Sequence, residues 1–515
     1  MSRGTSDGAG GVSQARTMTA LLTPLFAALM SISIVNVALP AIEEGLDAGS
    51  ADLQWVLSGY ALAFGVALVP AGRAGDLWGR RRYFLVGVVL FGASSLLCAL
   101  APTAAVLNVG RLLMGLGAGT LTPQIIGMIQ SLFDGAARGR AYGLMGTVIG
   151  AAVAFGPTVG GLLIDLAGDD LGWRLTFLIN IPVTAVACVL VVMWLPGPAS
   201  PPTSPTSPTS PNGPDADPQA GEESVEHGQD PALRSARPGI GALDPMGAVL
   251  LSAAVLLLML PFLGTPGVVG AALGLAGAAL LGIWIVWERR LGARPGGSPM
   301  VDLRLFSLPS YTLNSVVLTL YFSGMPAIWA IVAVYVQQGL GFSAVVAGLA
   351  TLPSAVLVMA LSSAVGRRVG RFGPRFLVVG TTTAVVAMLL VAGTGALSGT
   401  VWGSVWVIAA VVALVGASQA MIIPSAQTLS MQDVPPRLAG AAGGVAQTAQ
   451  RLATAVGIAV VTAVYFAVEQ ASDHSAGFMA ASLTIAAFLV PSAAMAVLIA
   501  RRADRGPGSA AQNAD

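Results

Sequence analysis

Gly72-Arg73-Ala74-Gly75-Asp76-Leu77-Trp78-Gly79-Arg80-Arg81-Arg82 is the densest charge cluster in the first quarter of the chain, and it lies between two long apolar runs. Charges this closely spaced cannot sit in hydrocarbon, so the stretch predicts a tight aqueous hairpin between two membrane spans, arginines on the cytoplasmic side. Gly72, Gly75 and Gly79 supply the turn and let helices approach closely. An arginine cluster alone is a positive-inside topology signal. A single acid among four arginines is more than topology requires.

Composition carries the membrane reading to the whole chain. Of 515 residues 55% are hydrophobic and only 10% charged, with a mean hydropathy of +0.79, against about 25% charged in soluble domains. Apolar runs of spanning length recur fourteen times. All 25 basic residues are arginine, a compositional hint of a GC-rich bacterial genome. An even span count with a cytoplasmic start returns both termini to the cytoplasm. The arginines of the 73–82 cluster, Arg138, Arg140, Arg289, Arg290, Arg367, Arg368, Arg371, Arg375, Arg437, Arg501 and Arg502 then share one side, while Glu43, Glu44, Asp47, Asp169, Asp170, Glu469 and Asp473 lie on the other.

The expected organisation is a cytoplasmic tail at 1–16, a six-helix bundle at 17–196 and a disordered cytoplasmic linker at 197–244. Two inserted transmembrane helices (245–290), a cytoplasmic connector (291–310), a second six-helix bundle (311–500) and a tail (501–515) follow. The linker opens on Thr-Ser-Pro repeats and continues through Asp215, Asp217, Glu222 and Glu223, a composition that tethers rather than packs. Sliding the opening stretch along the chain exposes a duplication. Gly366, Arg367, Gly373 and Arg375 match Gly72, Arg73, Gly79 and Arg81 at an offset of 294 residues, and the same offset sets Gly440 and Gly444 on Gly146 and Gly150. Where Asp76 stands, the second copy has Gly370.

Two related six-helix halves with a Gly-Arg hairpin after the second span of each resemble the major facilitator superfamily. The resemblance implies that Gly72, Asp76, Gly79, Arg80 and Arg81 form a gating motif. Its acid bridges the halves when the cytoplasmic side is shut, meeting the start of the span after Pro435-Pro436, at the positive end of a helix dipole. Gly150, Gly156-Pro157-Thr158-Val159-Gly160-Gly161 resembles the fifth-span signature of proton-antiporting exporters. Leu107 to Gly115, centred on Arg111, resembles the fourth-span motif linked to proton coupling. Gly172-Trp173-Arg174 with Asn180-Ile181-Pro182, and Ser31 to Pro40, resemble the branch of fourteen-helix drug exporters. That branch often has Asp at the position of Ser31, and Met114 stands where Gln is frequent. The expected fold is therefore an all-α integral membrane protein of the major facilitator type: two six-helix bundles, two inserted helices, fourteen transmembrane helices and both termini cytoplasmic.

Inside the apolar runs Arg111 and Arg451 are the ionisable groups, with Asp52 and Asp165 near outward ends as possible proton carboxylates. No carboxylate is expected in the substrate cavity. Its candidate lining is Ser31, Asn36, Arg111, Gln124, Gln447 and Arg451, with Gln337, Gln427 and Gln450 as further hydrogen-bond partners. An arginine-lined cavity suits a neutral, amphipathic or anionic small molecule better than a dication. Export by proton antiport is the expected activity. Uptake by a symporter or uniporter of the same fold, and a transporter-like sensor that moves nothing, are the alternatives. No convergent acids, histidines or nucleotide-binding loop support an enzyme, and two cysteines in apolar runs support neither disulfides nor a thiolate metal site. The expected partners are a small-molecule substrate and the lipid bilayer, without nucleic acid, metal or cofactor other than the proton gradient. A monomer in the bacterial plasma membrane is expected.

Overall fold

The computed structural model describes residues 7–195, 243–263, 267–294 and 297–504. Most of the predicted linker, with its Thr-Ser-Pro repeats and acidic run, lies outside the described residues. Fifteen helices are described: α1 (Asp7–Leu46), α2 (Ser50–Trp78), α3 (Arg80–Ala99), α4 (Ala104–Leu132), α5 (Gly135–Ala167), α6 (Asp169–Leu178), α7 (Asn180–Trp194), α8 (Pro245–Met259), α9 (Gly267–Gly292), α10 (Pro309–Phe322), α11 (Ala327–Val334), α12 (Ala344–Ala396), α13 (Val405–Ser430), α14 (Ala439–Ala471) and α15 (His474–Asp504).

Among the described residues, twelve helical stretches are long and apolar enough to cross a membrane. One of them, α12, has 53 residues and folds back on itself. Ser354 and Gly380 both pack on the same part of α13, at Gly416 and at Ser418 to Ile422. A straight helix would hold two residues that far apart in sequence about 40 Å from each other, so the chain reverses at the second Gly-Arg hairpin. With α12 counted as two crossings and the 33-residue α5 added, the fourteen expected crossings are accounted for.

Several boundaries differ from expectation. Helix α1 starts ten residues early, at Asp7. The sixth crossing is interrupted at Ile179, ahead of Pro182, into α6 and α7. The crossing expected at 311–336 is α10 and α11 joined by a turn ending at Pro326. Gly79, at φ 106°, ends α2 cleanly, a conformation open to glycine at no steric cost; Gly373 shows no such break.

The two halves meet along two seams. On one, a β-carbon on Gly72 would stand 2.4 Å from the Gly440 carbonyl oxygen, and one on Gly444 2.6 Å from that of Leu68. On the other, Gly366 stands in the same relation to Gly139 (2.4 Å) and Gly143 to Ser362 (2.6 Å). The equivalent glycines of α5 and α14 are thus Gly139 with Gly440 and Gly143 with Gly444, 301 residues apart. This corrects the expected pairing of Gly440 and Gly444 with Gly146 and Gly150. Helix α12 runs three residues past the position equivalent to the end of α3, and the turn after it, Leu397–Ser404, is four residues longer than the Leu100–Thr103 turn; together they shift the register by seven residues. Helices α8 and α9 pack on each other, with α8 against α2 and α14. Their Leu251, Val255, Met259 and Trp284 share one apolar cluster with Leu62 and Val69 of the first half and Ala439 and Ala442 of the second.

Candidate functional site

At the arginine-rich end, α2 carries Asp76 into the seam, where its side chain is 1% exposed. The N–H groups of Gly440 and Ala441 donate to its Oδ1 and Oδ2 at 3.2 and 2.9 Å. These are among the orphan donors of the first turn of α14, so the carboxylate caps a helix of the opposite half at its positive end. Arg80, one turn on, donates from Nε and Nη2 to Asp76 Oδ1 at 3.0 and 2.7 Å. It also donates to the carbonyl oxygens of Gly127, at 2.6 Å, and Pro436. Arg81 turns away, to the Val192 carbonyl at 2.8 Å. Nearby, Gln130 Nε2 crosses the seam to the Met431 and Val434 carbonyls at 2.6 and 3.3 Å. Gly370, the counterpart of Asp76, leaves the N-terminus of α5 without such an acid.

Deeper in the same seam lies an aromatic pair. Tyr60 and Phe64 are one turn apart on α2, on one face, with centroids 6.2 Å apart. Arg111 of α4, 1% exposed, sets its guanidinium carbon 4.4 Å from the Tyr60 ring centroid. Its Nε donates to the Val56 carbonyl at 2.8 Å and its Nη1 to that of Ser31 at 3.5 Å. Arg451 of α14 approaches from the opposite half, 4.5 Å over the Phe64 ring. It lies about 18 Å along α14 from the end that Asp76 caps. The ion pairs of the described residues involve Arg80, Arg138, Arg174 and His474, so neither Arg111 nor Arg451 has a carboxylate partner among them. Two cations therefore flank two neighbouring rings tilted 33° to each other, a cation–π arrangement that stabilises charge without neutralising it.

The other sequence-derived residues are scattered. Ser31 Oγ accepts from Asn180 Nδ2 at 3.0 Å. Asn36 is exposed on α1, with Nδ2 on the Ile32 carbonyl at 3.2 Å. Gln124 is not on the aromatic pair; its Nε2 holds the Ala71 carbonyl at 2.7 Å and fills the space over Gly75. Gln447 is partly buried on α14. Asp52 caps α2 through the Gly49 N–H at 3.2 Å, and Asp165 is exposed. Gly156 and Gly160 face α1, where added β-carbons would stand 1.9 Å from Ser33 Oγ and 2.8 Å from Ile34 Cγ1; Gly161 is in looser contact with Val37, and Pro157 lies between them within α5. Gly150 instead faces the other half, 2.5 Å from Val358 Cγ1 by the same construction. Two carboxylates that the sequence reading did not single out are buried beside the spans, away from the candidate cavity. Helix α9 continues to Gly292 and buries Glu288 (1% exposed), and Asp244 at the head of α8 is also buried.

A family model described as Major Facilitator Superfamily matches residues 21–458. The chain belongs to the major facilitator superfamily. As a member it is a multi-pass membrane transporter and not an enzyme. Among curated relatives of this facilitator is the "Probable actinorhodin transporter" of Streptomyces coelicolor, 31% identical over 464 residues that cover 88% of this chain and 73% of that protein. Another is the tetracenomycin C resistance and export protein of Streptomyces glaucescens, 29% identical over 86% of this chain and 74% of that one. In fold the facilitator is similar to the human organic anion transporter MFSD10, with a TM-score of 0.62 at 16% identity, covering 94% of this chain and 99% of that one.

Proposed function

We propose that this facilitator exports an amphipathic natural product or drug, neutral or anionic, by alternating access driven by proton antiport. The observation that carries the reading is the Arg111–Tyr60–Phe64–Arg451 array, two guanidiniums without carboxylate partners on flat rings at the seam between the halves. Arg451 is the partly exposed member of the array and offers charge to an anionic molecule, while Tyr60, Phe64 and Arg111 are buried behind it in this state. A dication would meet like charge and lose its hydration shell without compensation, at a cost of several kcal/mol. Similarity to a tetracenomycin C resistance and export protein, beside a probable actinorhodin transporter, supports export over uptake.

With the arginine-rich end taken as cytoplasmic, the structure corresponds to the state closed on that side: Asp76 caps α14, and glycine-lined seams bring the halves to backbone contact. Opening would strip the carboxylate from two N–H donors. The test is transport into everted membrane vesicles under an imposed pH gradient, with a planar anionic aromatic and a quaternary ammonium dye as cargoes. Proton-gradient-dependent accumulation of the anion, lost in Arg451→Ala, supports the reading. Efficient transport of the quaternary dye, unaffected by Arg451→Ala, rules it out.

A further inference from the structure

The first half, the inserted pair and the connector before α10 converge on a second polar cluster, about one turn along α2 from Asp76. Asp244 and Glu288 stand at the base of α8 and α9, both buried. A β-carbon on Gly247 would lie 2.1 Å from Asp244 Oδ2 and 2.8 Å from Glu288 Oε1, so these two oxygens are closer together than the sum of those lengths. Asp244 receives the Gly247 N–H at 3.0 Å and the Trp287 indole N–H at 3.1 and 3.0 Å. Glu288 Oε2 receives the Val301 N–H at 3.4 Å. Glu288 Oε1, on the side toward Asp244, makes no well-formed hydrogen bond; the Trp284 indole N–H and the Met300 N–H are the remaining donors close to this carboxylate.

The surrounding charges do not neutralise the pair. From α2 come Arg73, whose Nη2 donates to Ser298 Oγ at 2.8 Å, and Asp76, engaged with Arg80. From the connector come Asp302 and the exposed Arg304, and from α9 the exposed Arg289 and Arg290. No arginine is within ion-pair distance of Asp244 or Glu288 among the described residues. Arg73 is a cation within the electrostatic reach of Asp76, Glu288, Asp302 and Asp244. Two adjacent carboxylates removed from water cannot both remain ionised without a cation between them. A proton placed on one turns the orphan oxygen and its neighbour into donor and acceptor.

We propose that Asp244 and Glu288 share one bound proton, making the base of the inserted helix pair a proton-binding site that the gate hairpin senses through Arg73. Taking up the proton forms one O–H bond and one O–H···O hydrogen bond and leaves a single negative charge facing Arg73. Losing it leaves two, pulling Arg73, and with it the Gly72–Asp76 turn of α2, toward the inserted pair. Proton occupancy then biases the Asp76 contact with α14 from one turn away.

The test uses the full chain in lipid nanodiscs, by infrared difference spectroscopy across a pH titration. The expected result is a protonated-carboxyl stretch at neutral pH that shifts when glutamate or aspartate is carboxyl-labelled with a heavy carbon, and that disappears in Asp244→Asn and in Glu288→Gln. The labelled wild-type chain needs no substitution, so a folding defect in either variant does not obscure the outcome. Absence of a protonated-carboxyl stretch at neutral pH, or its insensitivity to both labels, overturns the shared proton. A second measurement, which rests on the export reading, follows transport rate against pH. Glu288→Gln should displace the profile by about one pH unit, a tenfold change in proton affinity. An unmoved profile in an actively transporting variant overturns the link through Arg73. Loss of all transport with the infrared band intact counts against the export reading alone.

Discussion

Arg451 occupies in the second half the position that Gly150 occupies in the first. Gly150 faces Val358 on the seam of α5 and α12, while Arg451 faces Phe64, the counterpart of Val358, on the seam of α2 and α14. The duplication has kept the site and exchanged its content, a close-packed glycine on one side and a stacked cation on the other.

Gly150→Ala places a methyl group 2.5 Å from Val358 Cγ1, an overpacking of about 1–3 kcal/mol in the closed arrangement. Export should fall about tenfold with membrane insertion unchanged. Adding Val358→Ala makes room and should restore most of the rate in a vesicle assay.

Replacing Arg451 separates charge from shape. Arg451→Ala should weaken binding of an anionic aromatic cargo about 10- to 100-fold, the loss of one charge-assisted contact. Arg451→Lys keeps the charge but not the flat guanidinium that stacks on Phe64, and should recover only part. Equilibrium binding to the detergent-purified chain reads both.

Asp76→Asn removes the charge that faces the start of α14 and holds Arg80. The closed state should lose about 1.5–3 kcal/mol, the range for hydrogen bonds to a charged group. Spin labels across the arginine-rich end should report a wider mean separation, and export should fall at least about tenfold.

Gln130 ties the halves beside Asp76 without charge. Gln130→Leu removes its hydrogen bonds to Met431 and Val434 and leaves both carbonyls facing an apolar side chain, at a cost of about 1–3 kcal/mol. The spin-label distance distribution should broaden in the same direction as for Asp76→Asn, but its response to salt should be smaller.

Much of this architecture could be read from the chain itself. The arginine hairpin and its copy marked the two halves, and the family resemblance of the hairpin pointed to the span after Pro435-Pro436 as the helix start that lies against Asp76. The register between α5 and α14 could not be read, because Gly146 and Gly150 satisfy the glycine pattern as well as Gly139 and Gly143 do, and the longer turn after α12 leaves no trace in hydropathy. Glu288 was missed because a hydropathy window ends at the first charged residue. The helix itself runs another turn and tucks that residue beneath Trp284. Tyr60 and Phe64 carried an available signal, two aromatics spaced four apart on a span that ends in the gate. Only the fold brings arginines of both halves onto them.

The absence of an acid at Gly370 has a mechanical meaning. One seam has a charged bolt, Asp76 in α14; the other has bare backbone against backbone, with nothing to unfasten. Under the proposed alternating access, halves joined this way would swing like a door, hinged along α5 and α12 and released along α2 and α14. The inserted helices stand on the bolted edge, against the moving margin, where they form the jamb.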